Sequence, residues 1–462
     1  MATLSIEDVV RGTQGALVAG DLGVPVQGVS IDSRKLAIGE AFFAIQAARD
    51  GHDFLRDAAA RGASCLVVHN LPDDLPPSVP TVLVDDTTRA LGRLAAYHRA
   101  RFAVPAAAVT GSNGKTTTKE MMAGVLSALG PVLKPEGSFN NQWGLPLTLL
   151  RLGPEHRALA LELGANTPGE IEALAAICRP TVGVVTVVQG AHTEFFGSLD
   201  GVAREKSALV RAIPPDGAVV LNADDPRVLA MHTESRARVL YFSTRPGGDV
   251  SAVGPAVDGP DGLGFTLGVG QARRPVRLAF AGRHNVTNAL AAAGVGLALG
   301  LSIEQIARGL EAARPAKGRC VWRPAGPIRI LDDTYNANPG SVGASLETLA
   351  ATSGGRRRVV VFGDMLELGE ISEQAHREMG RAVAGSGAAE FVGMGRWAQA
   401  AVEAARQAGL TESHHVTTFE DAVALLLKRL APGDAVLVKG SRGMRMERVV
   451  DALMARFGGD DA

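Results

Sequence analysis

The chain has 462 residues, 46% hydrophobic and 21% charged, which is enough for about three domains with cores of their own and excludes a disordered protein. Its 47 basic and 48 acidic side chains leave a formal charge of -1, so nothing favours nucleic acid or a charged membrane surface as a partner. The three cysteines, Cys65, Cys178 and Cys320, form no CxxC pair, which argues against a disulfide framework or a structural zinc site and fits a reducing cytoplasm.

The opening segment MATLSIEDVVRGTQG has neither a basic start nor a long apolar run, so no secretory signal is expected. Over residues 1 to 100 short strands and helices alternate: a turn-like Ile31 to Lys35, an apolar Ala41 to Ile45, a helical FLRDAAARGA, and the strands CLVVH and TVLVDD on either side of a Pro-rich connection. These features describe a small α/β domain. From 101 to 315 the apolar strands PAAAVT, RALALEL, TVGVVTVV, GAVVLN and RVLYF alternate with helical stretches, as in a parallel sheet covered on both faces. A Gly/Pro-rich, strand-like stretch from Arg245 to Phe280 and a long helix from Asn285 complete this unit. Its longest apolar run, Ala289 to Leu301, is too short to cross a bilayer, and no membrane insertion is expected. A third series, 316 to 462, starts with IRILDD and continues through RRVVVFGDM, EFVGMG, HHVTTF and AVLVKGS, each strand followed by an amphipathic helix. That is the pattern of a Rossmann-like, doubly wound sheet.

In AAAVTGSNGKTTTKE a buried strand runs through a Gly-containing turn into a helix, the setting in which backbone N–H groups and a helix N-terminus face an anion. Thr110, Gly111, Ser112, Asn113, Gly114, Lys115, Thr116 and Thr117 form a phosphate loop, with Lys115 reaching terminal phosphates and Thr116 offering a hydroxyl to magnesium. The spacing is GxxGKT, because Val109 stands where the common motif has its first Gly. A plain Gly/Ser/Asn turn capping a helix is the simpler reading, but the strand before and helix after favour a nucleotide.

This short loop, together with GSFNNQWGLPLTLLRL, LELGANTPGEI, AHTEFFGS, GRHNVTNALAAA, DDTYNANPGSVGASL, VFGDMLELGE and VLVKGSRGMRME, resembles the Mur ligase family of cell-wall precursor enzymes over nearly the whole chain. The resemblance implies an α/β protein of three domains: residues 1–100 for a UDP-linked substrate, 101–315 for ATP, and 316–462 for the incoming amino component. It implies an ATP-dependent ligase, for which a cytoplasmic monomer is expected. It further implies a reaction in which the carboxylate of UDP-N-acetylmuramoyl-tripeptide attacks the terminal phosphate of ATP and the amine of D-alanyl-D-alanine attacks the resulting acyl phosphate.

The resemblance also suggests roles for single residues. Glu162 ends an apolar strand, at the sheet edge where ligands of open α/β folds collect, and matches a magnesium-binding Glu; an ordinary strand-end Glu facing water is the alternative. His192 matches a ligand of a second Mg2+, although a lone histidine is more often a surface residue. Lys206 matches a carbamylated lysine that helps hold that second ion, which requires a part-buried amine of lowered pKa. Its segment GVAREKSALV departs from the family's more usual ending. Asn288 matches an adenine contact, Arg319 and Asp333 match phosphate and ribose contacts, and of the adjacent Asp332 and Asp333 we assign the ribose to Asp333. Asn336 and Asn338 in YNANP are expected at the dipeptide, though NANP is also simply a good turn. Asp32, Ser33 and Arg34 resemble the uridine and pyrophosphate contacts, and Asn140 and Asn141 are expected along the muramoyl-peptide cleft. FAIQAARDGHDF departs from the family's Gly-bearing version. Close rivals are the relative that adds a diamino acid, whose DNPR-like motif is not visible, folylpolyglutamate synthase, and a P-loop switch.

Overall fold

The computed structural model describes residues 4–72, 79–137, 139–189, 196–259 and 262–458. Its three large sheets follow the chain in order. The first has five strands in the order Ala16–Ala19, Thr81–Leu83, Cys65–Val68, Glu40–Phe43 and Gly28–Ser30, with the first strand antiparallel to its neighbour and the others parallel. Asp32 caps the short 3-10 turn Ser33–Lys35 that leaves this sheet, accepting from the Arg34 backbone N–H.

The second sheet has nine strands, in the order Ala272–Leu278, Gly262–Val269, Val250–Gly259, Arg238–Ser243, Ala218–Asn222, Val182–Val185, Ala106–Thr110, Ala158–Glu162 and Val132–Leu133. The first three form an antiparallel meander, which is the Gly/Pro-rich stretch of the sequence, and the remainder run parallel. The strands Ala106–Thr110, Ala158–Glu162, Val182–Val185 and Ala218–Asn222 are buried at every position, the expected result of covering both faces of a parallel sheet with helices. One cover is the helix His284–Ala298, whose composition HNVTNALAAAGVGLA is small and apolar all round and which is buried along almost its whole length.

The third sheet places Val321–Ala325, Ile328–Asp333, Ala435–Lys439, Arg358–Gly363, Glu390–Met394 and Ser413–Val416 side by side. Only the Val321–Ala325 strand is antiparallel to its neighbour. Insertion of Ala435–Lys439, the last strand of the chain, between Ile328–Asp333 and Arg358–Gly363 brings Lys439 into register with Asp333 at the carboxyl edge. The alternating strands and helices are therefore the doubly wound architecture that the sequence pattern predicts.

Candidate active site

In the second sheet the chain leaves Ala106–Thr110, visits two strands on one side, and then crosses to Val182–Val185 on the other. Such a reversal opens a crevice at the carboxyl ends of the strands, where ligands of open α/β sheets bind. The phosphate loop fills one wall of it. Gly111 has φ 144°, and a Cβ there would lie 2.0 Å from Thr186 Oγ1; Gly114 has φ 81°, and a Cβ would lie 2.2 Å from Asn288 Oδ1. Both positions need glycine for conformation and for space. The loop is clamped to the neighbouring strand end: Ser112 N–H donates to Val187 O (2.8 Å), Ser112 Oγ to Gln189 O (2.9 Å), and Thr186 Oγ1 to Asn113 O (2.6 Å). The helix Lys115–Leu126 then begins with its free amides pointing into the crevice.

The crevice continues into a cavity of about 600 Å³ that is closed on its other side by the third sheet. Ser112 to Thr117, Asn288, Arg319, Asp333, Asn336 and Asn338 all line it. Thr110 and Gly111 do not: Thr110 is the buried strand end, its hydroxyl donating to Leu163 O at 2.9 Å, and Gly111 is the pivot behind the loop. Hydrogen bonds join the sides. Arg319 Nη2 donates to Thr116 Oγ1 (3.1 Å), and the carboxamide of Asn338 donates to Asn113 Oδ1 (2.8 Å). Asn338 also caps the helix Pro339–Thr352, so both ends of its side chain are engaged. Asn288 accepts from Thr118 and donates to Asn285.

Asp333 receives Cys320 N–H (3.2 Å), Ser345 Oγ (2.5 Å) and Lys439 Nζ (2.5 Å). Asp332, by contrast, is outside the cavity lining, accepts from Thr334, and burial raises its pKa. Lys439, 2% exposed, also donates to the Asn336 carbonyl (3.0 Å). It and His284 belong to the cavity although the sequence reading gave neither a role. The available signal was a charged residue closing an apolar strand, the one that picked out Glu162. The same signal marks Asp224 and Asp225 after AVVLN, which also line the cavity.

Glu162 is 1% exposed at the end of its strand. Asn140 Nδ2 donates to its Oε1 at 2.7 Å, while Oε2 is buried with no partner among the described residues. Asn140 is thus turned toward Glu162, and Asn141 is spent on the backbone, accepting from Trp143 and Gly144 N–H. Lys115 Nζ donates to Gly111 O (2.7 Å) and Ser112 O (3.3 Å); burial lowers its pKa, the Glu162 charge opposes that, and Arg319 adds to it. Lys206 lies in the helix Leu199–Ala212, 3% exposed, with its amine 5.7 Å from the Phe196 ring centre. Burial, with the Lys115 charge second, lowers it to about 7. Its neighbour Glu205 points elsewhere, accepting from Gly169 and Ile171 N–H at the start of the helix Glu170–Cys178. His192 lies outside the described residues.

Tyr335 sits between the two sides, with the Arg319 guanidinium 4.0 Å above its ring and that of Arg442 at 5.6 Å. Burial raises the pKa of its hydroxyl, Arg319 opposes this, Glu162 adds to it, and Arg442 opposes it, so all three charges share one neighbourhood. The trio Asp32, Ser33 and Arg34 is not part of this cavity; Arg34 forks onto Asp32 with two bonds of 2.9 Å. Among the described residues no three His, Cys, Asp or Glu side chains converge as a ready-made metal cluster, and no helix is long and apolar enough to cross a membrane.

Comparison with known proteins agrees with this geometry. Residues 25–99 match the Mur ligase family, catalytic domain; 109–296 the Mur ligase middle domain; and 318–442 the Mur ligase, glutamate ligase domain. The chain is 39% identical to the UDP-N-acetylmuramoyl-tripeptide--D-alanyl-D-alanine ligase of Mycobacterium tuberculosis, with 92% of each protein aligned. Among solved structures it resembles MurF from Acinetobacter baumannii (TM-score 0.89, 35% identity, 98% of this chain and 99% of that one). It also resembles the MurF ligase from Thermotoga maritima in complex with ADP (0.82, 27%, 94% and 98%). A GxxGKT loop facing a Rossmann-like sheet across one crevice, in a chain so similar to these ligases from end to end, identifies the protein as a member of the Mur ligase family.

Proposed function

We propose that the protein is an ATP-dependent ligase that joins D-alanyl-D-alanine to UDP-N-acetylmuramoyl-tripeptide, releasing ADP and phosphate. The observation that carries this is the cavity shared by Lys115 and Thr116 on one side and Arg319 and Asp333 on the other, beside a buried Glu162 with one carboxylate oxygen unpartnered among the described residues. The full-length likeness to ligases named for that reaction supplies the two substrates.

The substrate carboxylate attacks the terminal phosphorus of ATP, and the bond to ADP breaks. The dipeptide amine then attacks the acyl carbon, phosphate leaves with the bonding pair, and the amine loses its proton to solvent. No protein nucleophile is required. The protein's part is to collect negative charge and hold the reactants in line. Amides of the loop and the first turn of Lys115–Leu126 hold the phosphate chain, and Lys115 follows the charge that develops on the terminal phosphate. Arg319 reaches across from the third sheet, so the set of phosphate contacts is complete only when both sides meet. That arrangement also keeps water from the acyl phosphate.

Thr116 and the second oxygen of Glu162 would hold one magnesium ion, and Lys206, once carbamylated, would help hold another, for which His192, outside the described residues, is the ligand expected from the sequence. Such ions neutralise phosphate charge as it redistributes. Support for carbamylation is the buried amine, whose pKa burial lowers to about 7, because CO2 adds only to a neutral amine. Asp333 serves the ribose, Asn288 the adenine, Asn336 and Asn338 the dipeptide side of the crevice, and Asp32, Ser33 and Arg34 the uridine diphosphate end. We draw the functional units at 1–100, 101–315 and 316–462, in keeping with strands at 16–83, 106–278 and 321–439. The three cysteines are buried and free, which suits a cytoplasmic protein, and one chain supplies both sides of the crevice, which suits a monomer.

The test is ADP release by purified protein. Turnover should require ATP, Mg2+, the UDP-tripeptide and the dipeptide together, and Lys115→Ala should abolish it with the thermal transition retained. Turnover without an amine acceptor would point instead to a switch-type nucleotidase.

A further inference from the structure

The ligase reading leaves one end of the incoming dipeptide without a partner. Its amine must reach the acyl carbon beside the phosphate loop, while its terminal carboxylate, one short dipeptide away, needs a cation. The lysines and arginines that line the cavity are already committed: Lys115 to loop carbonyls, Lys439 to Asp333, Arg319 to Thr116 and Tyr335, and Arg227 to Asp200.

Arg442 is different. It follows the strand Ala435–Lys439 at the carboxyl edge of the third sheet, its side chain is 64% exposed, and it lies outside the nucleotide cavity. Its guanidinium is over the face of Tyr335, the ring that Arg319 also covers. Its ion pair with Glu447, 3.3 Å apart, joins this exposed guanidinium to a carboxylate that is 23% exposed, and the guanidinium, with five N–H donors, keeps donors open to a ligand carboxylate. Beside it Leu366, 40% exposed, approaches Gly443, where a Cβ would lie 2.9 Å from Leu366 Cδ1. Leu366 is held in that position by its backbone N–H, which donates to Ser441 Oγ at 2.8 Å. The next residue, Glu367, has φ 64°, and Arg445 has φ 51°, so both loops carry a non-glycine residue in the left-handed region. Such strain collects at ligand sites.

Resting on the ligase reading, we propose that Arg442 and Leu366 form the acceptor subsite, the guanidinium taking the terminal carboxylate of a short D-peptide and Leu366 its small apolar side chain. Asn336 and Asn338 then line the path to the amine, with the carboxylate itself on Arg442. The subsite selects a free acid over a neutral ending, because a guanidinium pairs a carboxylate in its planar fork and gains nothing comparable from an amide.

The experiment compares D-alanyl-D-alanine with its C-terminal amide as acceptor, in steady-state ADP release by the full chain with saturating ATP, Mg2+ and UDP-tripeptide. Wild type should favour the acid by at least about tenfold in kcat/KM. Arg442→Gln should raise KM for the acid by about 10- to 100-fold, leave the amide and KM for ATP within twofold, and so erase the preference. Arg442→Lys should keep part of it. Arg448→Gln, a similarly exposed arginine paired with Glu420 on the following helix, should behave as wild type. If Arg442→Gln keeps the wild-type preference, or raises KM for ATP as much as for the dipeptide, the subsite is wrong. If wild type releases no ADP with either acceptor, the ligase reading falls and the subsite with it.

Discussion

Removing the Asn140 carboxamide tests how Glu162 is held. Glu162 is 1% exposed, and the bond from Asn140 Nδ2 at 2.7 Å is made to one oxygen while the other is buried with no partner among the described residues. A hydrogen bond to a charged group contributes about 1.5–3 kcal/mol, and here its loss leaves a buried carboxylate with no donor among the described side chains. Asn140→Ala should therefore lower the stability of the central unit by about that amount, a fall in Tm of roughly 3–10 °C for a unit of this size. It should also raise the Mg2+ concentration needed for half-maximal ADP release by about tenfold, because Glu162 is no longer aimed. Thermal unfolding followed by circular dichroism gives the first number, and a Mg2+ titration at saturating substrates gives the second. If Asn140 serves the muramoyl peptide alone, KM for the UDP-tripeptide rises while Tm and the Mg2+ midpoint stay at wild-type values. That outcome would refute the positioning argument.

Lys206 gives a pH signature. Its folded pKa is lowered from 10.5 to about 7, so between those values the unfolded chain binds more proton and stability rises with pH, while below about 7 the full cost of burial is present. Lys206→Met removes a penalty of up to about 5 kcal/mol. Without bicarbonate the variant should melt above wild type at pH 6, with the gap narrowing toward pH 9 and ligation lost; a gap that does not change with pH would contradict the assignment. At Gly111 an added methyl meets Thr186 Oγ1 at 2.0 Å with φ at 144°, so Gly111→Ala should weaken ATP binding at least about tenfold by calorimetry. Unchanged binding would mean that the loop does not need this conformation.

The doubly wound sheets were readable because burial on both faces makes strands such as AAAVT, ALALE and VGVV apolar up to their carboxyl ends, and the intervening helices amphipathic. The phosphate loop was readable for a local reason: its glycines, lysine and threonine act within one turn, and their conformation is dictated by near neighbours. The strand-end position of Glu162 followed from the same pattern. Asn140, Asn141 and Asn338 were less legible. An amide makes the same impression in a sequence whether it meets a ligand, caps a helix or braces a carboxylate, and here Asn141 holds a backbone turn while Asn338 both caps a helix and joins the loop. Lys439 was passed over because a lysine ending a strand looks like an ordinary surface cation until its strand proves to be internal.

The amino-acid sequence by itself determined the succession of strands and helices, the shortened phosphate loop, and the family to which the protein belongs. All of these rest on residues that act within a few positions of one another, or on motifs preserved as blocks. Tertiary structure alone decided the pairings that make a site of them. Asn140 meets Glu162 across 22 residues, Lys439 meets Asp333 across 106, and Arg319 meets Thr116 across 203. Such distances are closed by the order of strands in each sheet and the packing of one sheet edge against another. Hydrophobic periodicity specifies which face is buried, but not which neighbour lies beside it.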